Sequence, residues 1–457
     1  MTKKFNIPKT VKTVMDKMKK AGYEIHAVGG CVRDMLLAKT TKDWDFTTNA
    51  KPPQIQELFP ESFYDNKFGT VGIPVKLTGG DRAFIYEITT YRSERGYSDF
   101  RHPDDIIFGD KLEEDLKRRD FTVNALAFDG ETITDLFNGI DDLKKRILRA
   151  VGEADKRFRE DALRMLRAVR LSVQLDFSIE QNTAAAIVKN AYLINKISFE
   201  RVRDELLKIL SLKGAAGGII ILRETGLLAQ ILPELEKCFG IPQKSPKRHH
   251  IYDVGTHLVK SLEYCPSDDK IVRMATLLHD VGKAVTFQKT LEGVITFYNH
   301  EIVSASIAGN IARRLKLSKK DTEKLANLVR YHQFTVDERQ TDSALRRFIR
   351  NVKPENIQDM LDLRTADRLG GGARETSWRL ELFKKRLIEV QKQPFTVSDL
   401  KIDGHDVMKI YKTGPGPLVG KVLDMVFNDV IAGKLPNERE ILLSRITNLK
   451  KETEMKI

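Results

Sequence analysis

The stretch AVGGCVRD, residues 27–34, decides how the front of this chain is read. A strand-like run, Tyr23–Val28, ends in Gly29 and Gly30, and a helix-like segment carrying Arg33 follows. Glycines at such a junction let backbone N–H groups approach a phosphate, and a helix N-terminus favours negative charge there. Arg33 can add a planar fork of donors. Alone, a Gly-Gly turn is more often an ordinary strand–helix connection. Its meaning changes with DWDF, residues 43–46, which begins thirteen residues beyond Gly30. Side chains alternate on a strand, so Asp43 and Asp45 project from one face. Unpaired, the two carboxylates repel; shared Mg²⁺ resolves the conflict, because hard cations take carboxylate oxygens. Metal held this way can activate an attacking 3′-hydroxyl and stabilise departing pyrophosphate. Glu87, in the strand-like run Ala83–Thr90, joins the pair if its strand lies beside that of Asp43.

Working outward, residues 23–150 mix strand-like runs (also Gly72–Leu77), a short helix opened by Pro52 and Pro53, and turns such as Gly79–Asp81. This is an α+β pattern. Beyond Glu153 the texture becomes helical, with apolar spacing over Ala154–Val173, Thr183–Leu193 and Ser198–Leu210. Breaks fall near Pro242–Pro246, Gly370–Gly372 and Pro415–Pro417. The expected organisation is a head over residues 1–150, a helical neck over 151–240, a helical domain over 241–370 and a helical tail over 371–457.

The glycine turn and acidic pair resemble the head of the polymerase-β-like nucleotidyltransferases. The block LKRRDFTVNALA, residues 116–127, is similar to the second motif of the class II tRNA nucleotidyltransferases, the family of CCA-adding enzymes and poly(A) polymerases. DLFNGIDDL at 135–143, then Glu200-Arg201 and Glu205-Leu206, continue the likeness in order over about the first 210 residues. The resemblance implies a polymerase-β-like head followed by an all-α neck, body and tail. It implies that Asp43 and Asp45 hold Mg²⁺ and that Gly29, Gly30, Arg33, Arg118, Arg119, Asp120 and Asn124 contact the incoming nucleotide. The residue types suit this: arginines neutralise phosphate, Asp120 can accept from a ribose hydroxyl, and Asn124 can donate and accept.

In EDALRMLRAVR, residues 160–170, Asp161, Arg164, Arg167 and Arg170 follow a three-residue stride, one face of a continuous helix. By residue statistics this is a surface helix laced with ion pairs. The chemistry offers more. Cytosine and adenine both present an amine donor beside a ring-nitrogen acceptor, matching an acceptor from Asp161 and a donor from Arg164. Uracil and guanine put a carbonyl where the amine should be, a buried mismatch costing about 1–3 kcal/mol per unsatisfied group. The resemblance gives these two positions the same role as an amino-acid template and makes Arg167 and Arg170 further nucleotide contacts. The charged stretch Tyr91–Pro103 looks like the loop that CC-only enzymes shorten.

Six of the nine histidines fall between residues 249 and 332. HDVGK, residues 279–283, follows an apolar run, and imidazole with carboxylate suits divalent metals. The region resembles an HD-type metal phosphohydrolase domain. That likeness implies His257, His279, Asp280 and Asp367 as ligands, with His300 and His332 as extra ligands of binuclear members, and a divalent transition metal. His249 and His250 read instead as part of a basic, RNA-facing loop. In the tail, DLKIDGHDVM at 399–408 and Asn437–Glu440 continue the tRNA nucleotidyltransferase likeness and imply a grip on the tRNA acceptor arm.

Composition sets the outer limits. Lys and Arg exceed Asp and Glu by 13, which suits a polyanionic partner. No apolar run approaches the ~20 residues that span a bilayer. The start has no secretory pattern and the three cysteines form no framework, so a cytoplasmic setting is expected. The expected partners are tRNA, CTP and ATP, with no DNA and no membrane. The main expectation is addition of C, C and A to tRNA. The rivals are an A-adding enzyme or poly(A) polymerase, and a phosphohydrolase or RNA-binding module with an inactive head.

Overall fold

The structure, a computed structural model, describes residues 5, 7–41, 43–65, 69–76, 83–95, 105–109, 111–243, 251–334, 336–391 and 397–454. The Gly79–Asp81 turn, residues 96–103 of the charged loop, and His249 and His250 lie outside them. The chain forms two compact units, residues 1–237 with 313–317, and residues 238–312 with 318–457.

Over residues 25–135 of the first unit the described strands are β1 (Ile25–Val28), β2 (Asp45–Thr48), β3 (Phe63–Asp65), β4 (Thr70–Lys76), β5 (Ala83–Thr90), β6 (Arg92–Arg95), β7 (Asp105–Phe108), β8 (Leu126–Phe128) and β9 (Ile133–Asp135). Seven form one mixed sheet in the order β3-β4-β5-β2-β1-β8-β9, and β6 pairs with β7. β1 runs antiparallel to β2, with Val28 opposite Asp45. β2 runs parallel to β5, with Asp45 opposite Glu87. The glycine turn that leaves β1 and the third acid therefore both sit beside the acidic pair. The condition set for Glu87 is met: its strand neighbours β2.

Alternation does the rest of the positioning. Trp44 and Phe46 are buried, while Asp43 and Asp45 are exposed. The helix Lys9–Lys20 buries Val11, Val14, Met15 and Met18, an i, i+3, i+4, i+7 stripe.

The expected helix over Ala154–Val173 is two helices, Ala154–Glu160 and Leu163–Leu175. Asp161 interrupts them with extended backbone (φ −140°, ψ 104°), and its Oδ1 accepts from the Leu163 N–H at 3.1 Å. Aspartate competes well for N–H groups at a helix start, which is why a pattern read as one helix breaks there. Asp161 and Arg164 thus do not share a face of one continuous helix. They sit at the two ends of a single capping turn, joined by the Arg164 N–H to Asp161 carbonyl bond of 3.0 Å. Arg164, Arg167 and Arg170 keep their three-residue stride on the least buried face of Leu163–Leu175.

The second unit brings together the helices Val254–Glu263, Lys270–Leu278, His300–Arg314, Lys319–Tyr331 and Ile357–Gly370. Towards the C-terminus, Gly404–Tyr411, Pro417–Ile431 and Arg439–Glu454 enclose a core that includes Val407, Val422, Val426, Leu442 and Ile446. Among the described residues no helix is long and apolar enough to cross a membrane.

Candidate functional site

Two sites emerge, one in each unit. In the first, Gly29 ends β1 at φ +79°, a conformation that side chains other than glycine's resist. A Cβ there would also stand 3.0 Å from Arg119 Nη1. The glycine therefore serves both the turn and the approach of a guanidinium to it. Arg119 influences Asp45 electrostatically, so turn, cation and acid share one neighbourhood. Desolvation raises the Asp45 carboxyl; Arg119 pulls it back down and Asp43 pushes it further up. A like charge beside a carboxylate that faces solvent yet is partly desolvated by its neighbours is the condition that a divalent cation relieves. Arg119 Nε is buried with no hydrogen-bond partner, a donor left for an anion.

The other predicted residues form one connected network. Arg33 is buried; its Nε donates to Asp34 at 2.8 Å and its Nη1 to Asn124 Oδ1 at 2.7 Å. Asn124 Nδ2 donates to Asp120 Oδ1 at 3.2 Å, and Asp120 Oδ2 accepts from Arg167 Nε and Nη2 at 2.9 and 2.7 Å. Burial opposes ionisation of Asp120, but the charge and hydrogen bonds of Arg167, helped by Asn124, hold its carboxyl at about 2.

Asp161 and Arg164, expected from the sequence to select the base, are brought into one turn, with each held by another side chain. Asp161 accepts from Arg201 Nη1 and Nη2 at 3.3 and 2.8 Å. Arg164 donates to Glu160 at 2.9 Å and to the Arg118 carbonyl at 3.0 Å. Arg170 donates to Glu205 at 2.6 Å.

Sequence reasoning missed Asp115. It is fully buried and accepts from Arg118 at 2.7 and 3.0 Å and from Arg119 at 3.3 Å. Burial works against its ionisation, yet the two arginines carry its carboxyl below the ordinary range. It aims both predicted phosphate ligands. The signal was present as spacing, an acid three and four residues before an Arg-Arg pair at a helix end.

The second site is a cluster of six side chains from five segments. His257 lies on Val254–Glu263, His279 and Asp280 follow Lys270–Leu278, His300 opens its helix, His332 follows Lys319–Tyr331, and Asp367 lies on Ile357–Gly370. All six sequence-predicted positions converge. Gly282 permits the approach: a Cβ there would stand 2.6 Å from the His300 carbonyl, and its N–H donates to Ser304 Oγ at 2.8 Å.

His257 Nε2 lies 3.2 Å from His279 Nε2, 3.2 Å from Asp367 Oδ1 and 3.6 Å from Asp280 Oδ2. His300 and His332 Nε2 lie 3.2 and 3.3 Å from Asp280 Oδ1. Asp280 thus turns one oxygen to each of two groups of side chains that could hold a metal ion.

Hydrogen bonding identifies what these groups want. Nδ1 of His279, His300 and His332 each lies 2.7 Å from a carbonyl oxygen, of Thr276, Phe297 and Val329 respectively. A carbonyl only accepts, so each Nδ1 carries a proton, and each imidazole in its neutral form turns an Nε2 lone pair inward. Lone pairs then face carboxylate oxygens, and buried Asp280 Oδ1 has no hydrogen-bond donor. Acceptor against acceptor is repulsive unless a cation lies between them. The spacing suits one: a tetrahedron with bonds of about 2.0–2.1 Å has edges of about 3.3–3.4 Å.

The field agrees. Burial opposes protonation of His279, but Asp280 and Asp367 raise its imidazole to about 10: the carboxylates draw positive charge to this point, as a proton on His279 Nε2 or as a metal ion. Burial likewise opposes ionisation of Asp280 and Asp367, and the surrounding cationic and hydrogen-bonding groups still hold both well below the carboxylate range. Carbonyls that anchor histidines in this way are the outer partners that orient a metal-binding imidazole. Lys283, 2.5 Å from Asp280 Oδ2 and donating to Gln243 at 2.7 Å, is a further member.

Comparison with known proteins follows the same division. Residues 25–149 match the Poly A polymerase head domain, residues 176–239 the "Probable RNA and SrmB- binding site of polymerase A", and residues 293–446 domain 2 of tRNA nucleotidyltransferase. A CCA-adding enzyme of Lactobacillus delbrueckii subsp. bulgaricus is 45% identical over 243 residues, 53% of this chain and 58% of that protein. That match spans little more than half of the relative's length. A CCA-adding enzyme of Ligilactobacillus salivarius is 32% identical over 460 residues, 99% of each chain. Among solved structures, the CCA-adding enzyme of Bacillus stearothermophilus in complex with CTP has a TM-score of 0.72 at 30% identity, covering 98% of both chains. The Thermotoga maritima CCA-adding enzyme complexed with tRNA, at 20% identity and a TM-score of 0.57, shares the fold.

Proposed function

The chain belongs to the class II family of CCA-adding enzymes and poly(A) polymerases, and on that premise we propose that it adds C, C and A to the 3′ end of tRNA from CTP and ATP. The observation that carries this reading is the exposed acidic pair, Asp43 and Asp45, set beside the Gly29 turn and a buried, unpartnered Arg119 Nε. Enzymes of this family generally use divalent metals. Asp43 and Asp45, with Glu87 alongside, would hold Mg²⁺, which when bound lowers the cost of ionising the tRNA 3′-hydroxyl and of releasing pyrophosphate.

The protein's own residues bind and orient. Arg119 and Arg118, aimed by Asp115, meet the triphosphate; Arg33, fixed through Asn124, closes the same side. Base choice falls to Asp161 and Arg164, whose acceptor and donor match cytosine and adenine. For either base to be read, Asp161 must exchange Arg201, and Arg164 must exchange Glu160, for the edge of the base. The basic balance of the chain suits recognition of tRNA through its phosphates.

The test is incorporation into tRNA lacking its CCA end. Ordered uptake of two cytidylates and one adenylate is expected; extension with ATP alone would instead indicate an A-adding enzyme or poly(A) polymerase.

The six-ligand cluster favours a second activity, metal-dependent hydrolysis of a phosphate ester in residues 241–370. His257, His279, Asp280 and Asp367 would hold one ion and Asp280, His300 and His332 a second. Metal analysis of the wild type against His279→Ala tests it, with equal metal contents counting against the reading.

A further inference from the structure

Beside the histidine–aspartate cluster opens a cavity of about 340 Å³ whose floor includes Asp280, His300, His332 and Asp367 and whose wall includes Arg364. Resting on the metal-site reading above, we propose that this cavity is a phosphate-binding subsite in which Arg364 receives the phosphate oxygens of an ester no larger than a nucleotide.

Three observations lead there. Arg364 lies one helical turn before Asp367 on the same helix, and its Nη1 donates to Asp367 Oδ2 at 3.3 Å. That bond leaves Asp367 Oδ1 to His257 and His279 and fixes the guanidinium beside the ligands. The guanidinium also lies 5.3 Å from the centre of the Phe334 ring, a cation–π contact that restrains its plane. Its Nε is buried and has no hydrogen-bond partner. A planar, restrained fork with a spare buried donor is matched to a tetrahedral oxyanion.

The floor supplies the second half of the argument. Two carboxylates there repel an anion on their own, so phosphate enters favourably only when cations hold the ligands. Metal and phosphate should therefore bind cooperatively. Lys283, the other cation at the floor, is already taken by Asp280 and Gln243 and leaves Arg364 as the wall's anion receptor. The cavity's size admits a single nucleotide-sized group and excludes a folded RNA body, so the ester must be a free small molecule or a chain end.

The experiment uses the full chain, with Mn²⁺ and inorganic phosphate as probes. Phosphate is titrated calorimetrically with and without Mn²⁺, and the heat that disappears in His279→Ala is assigned to this site. Bound Mn²⁺ is counted by elemental analysis, and thermal melting checks each variant's fold. Wild type is expected to bind phosphate there only with Mn²⁺. Arg364→Gln should keep its Mn²⁺ and bind phosphate at least about tenfold more weakly, with Arg364→Lys in between. Unchanged phosphate affinity in a Mn²⁺-loaded Arg364→Gln would overturn the subsite and leave the metal site standing. Loss of Mn²⁺ from Arg364→Gln would overturn it too, because Arg364 would then act through Asp367 alone. Wild type holding no more Mn²⁺ than His279→Ala would remove the metal reading and the subsite together.

Discussion

Replacing Asp120 with asparagine removes one charge at nearly constant shape, and the contacts give the cost. Both oxygens are occupied: Oδ2 by Arg167, Oδ1 by Asn124 and by the Phe121 N–H at 2.8 Å. The carboxyl sits at about 2 against an ordinary 3.8. At ~1.4 kcal/mol per pKa unit, that preference for the ionised form is worth about 2.5 kcal/mol. Arg167 is 38% exposed, so water screens part of the pairing and about 2 kcal/mol is expected in the variant. For a unit of this size that corresponds to a melting temperature lower by about 4–8 °C.

The pH dependence has a definite sign. A carboxyl depressed in the folded state stabilises fully above its unfolded pKa near ~3.9, and the benefit fades as pH falls through the folded value. The deficit of Asp120→Asn should be complete at neutral pH and shrink between about pH 4 and 2. The assay is thermal and urea unfolding of wild type, Asp120→Asn, Arg167→Gln and the double variant. The cycle should return a coupling of roughly 1–2 kcal/mol. Equal melting of Asp120→Asn and wild type at pH 7, or additive single effects, would refute the network as drawn.

Three further outcomes are expected. Asp45→Asn should cut nucleotide transfer by about a thousandfold or more, equivalent to ~4 kcal/mol of barrier, while tRNA binding by gel shift stays close to wild type. Gly29→Ala should lose about 1–3 kcal/mol from backbone strain and crowd Arg119, so CTP should bind more weakly in equilibrium titration; full affinity would contradict the turn's role. Asp161→Ala should blur the choice among the four nucleoside triphosphates in single-nucleotide incorporation more than it weakens tRNA binding, and unaltered C and A selectivity would remove the template argument.

Much of the head was legible because its signals are local. Alternation around Trp44 put Asp43 and Asp45 on one face, and the run Ala83–Thr90 is β5 to the residue. What no spacing announces is which strand lies beside which: the parallel pairing of Asp45 with Glu87 comes from the sheet's order, a long-range choice. The break at Asp161 was hidden for the opposite reason. The apolar positions on both sides keep helical spacing, and a single capping hydrogen bond from Asp161 outcompetes continuation. Asp115 escaped because a buried acid in EEDLKRRD looks, residue by residue, like a solvated helix face. In the second unit the ligand types were visible one by one, and their likeness to an HD domain selected them. The sharing of Asp280 between two groups, and Arg364 on the cavity wall, depend on helices distant in sequence meeting at one point.

The central claim concerns what lies between two aspartates. A crystal of the protein grown with CTP and Mn²⁺, measured at a wavelength where manganese scatters anomalously, examines it most directly. The account predicts anomalous density between Asp43 and Asp45, with the triphosphate against Arg119. Triphosphate bound elsewhere, or no manganese at that pair, would contradict it.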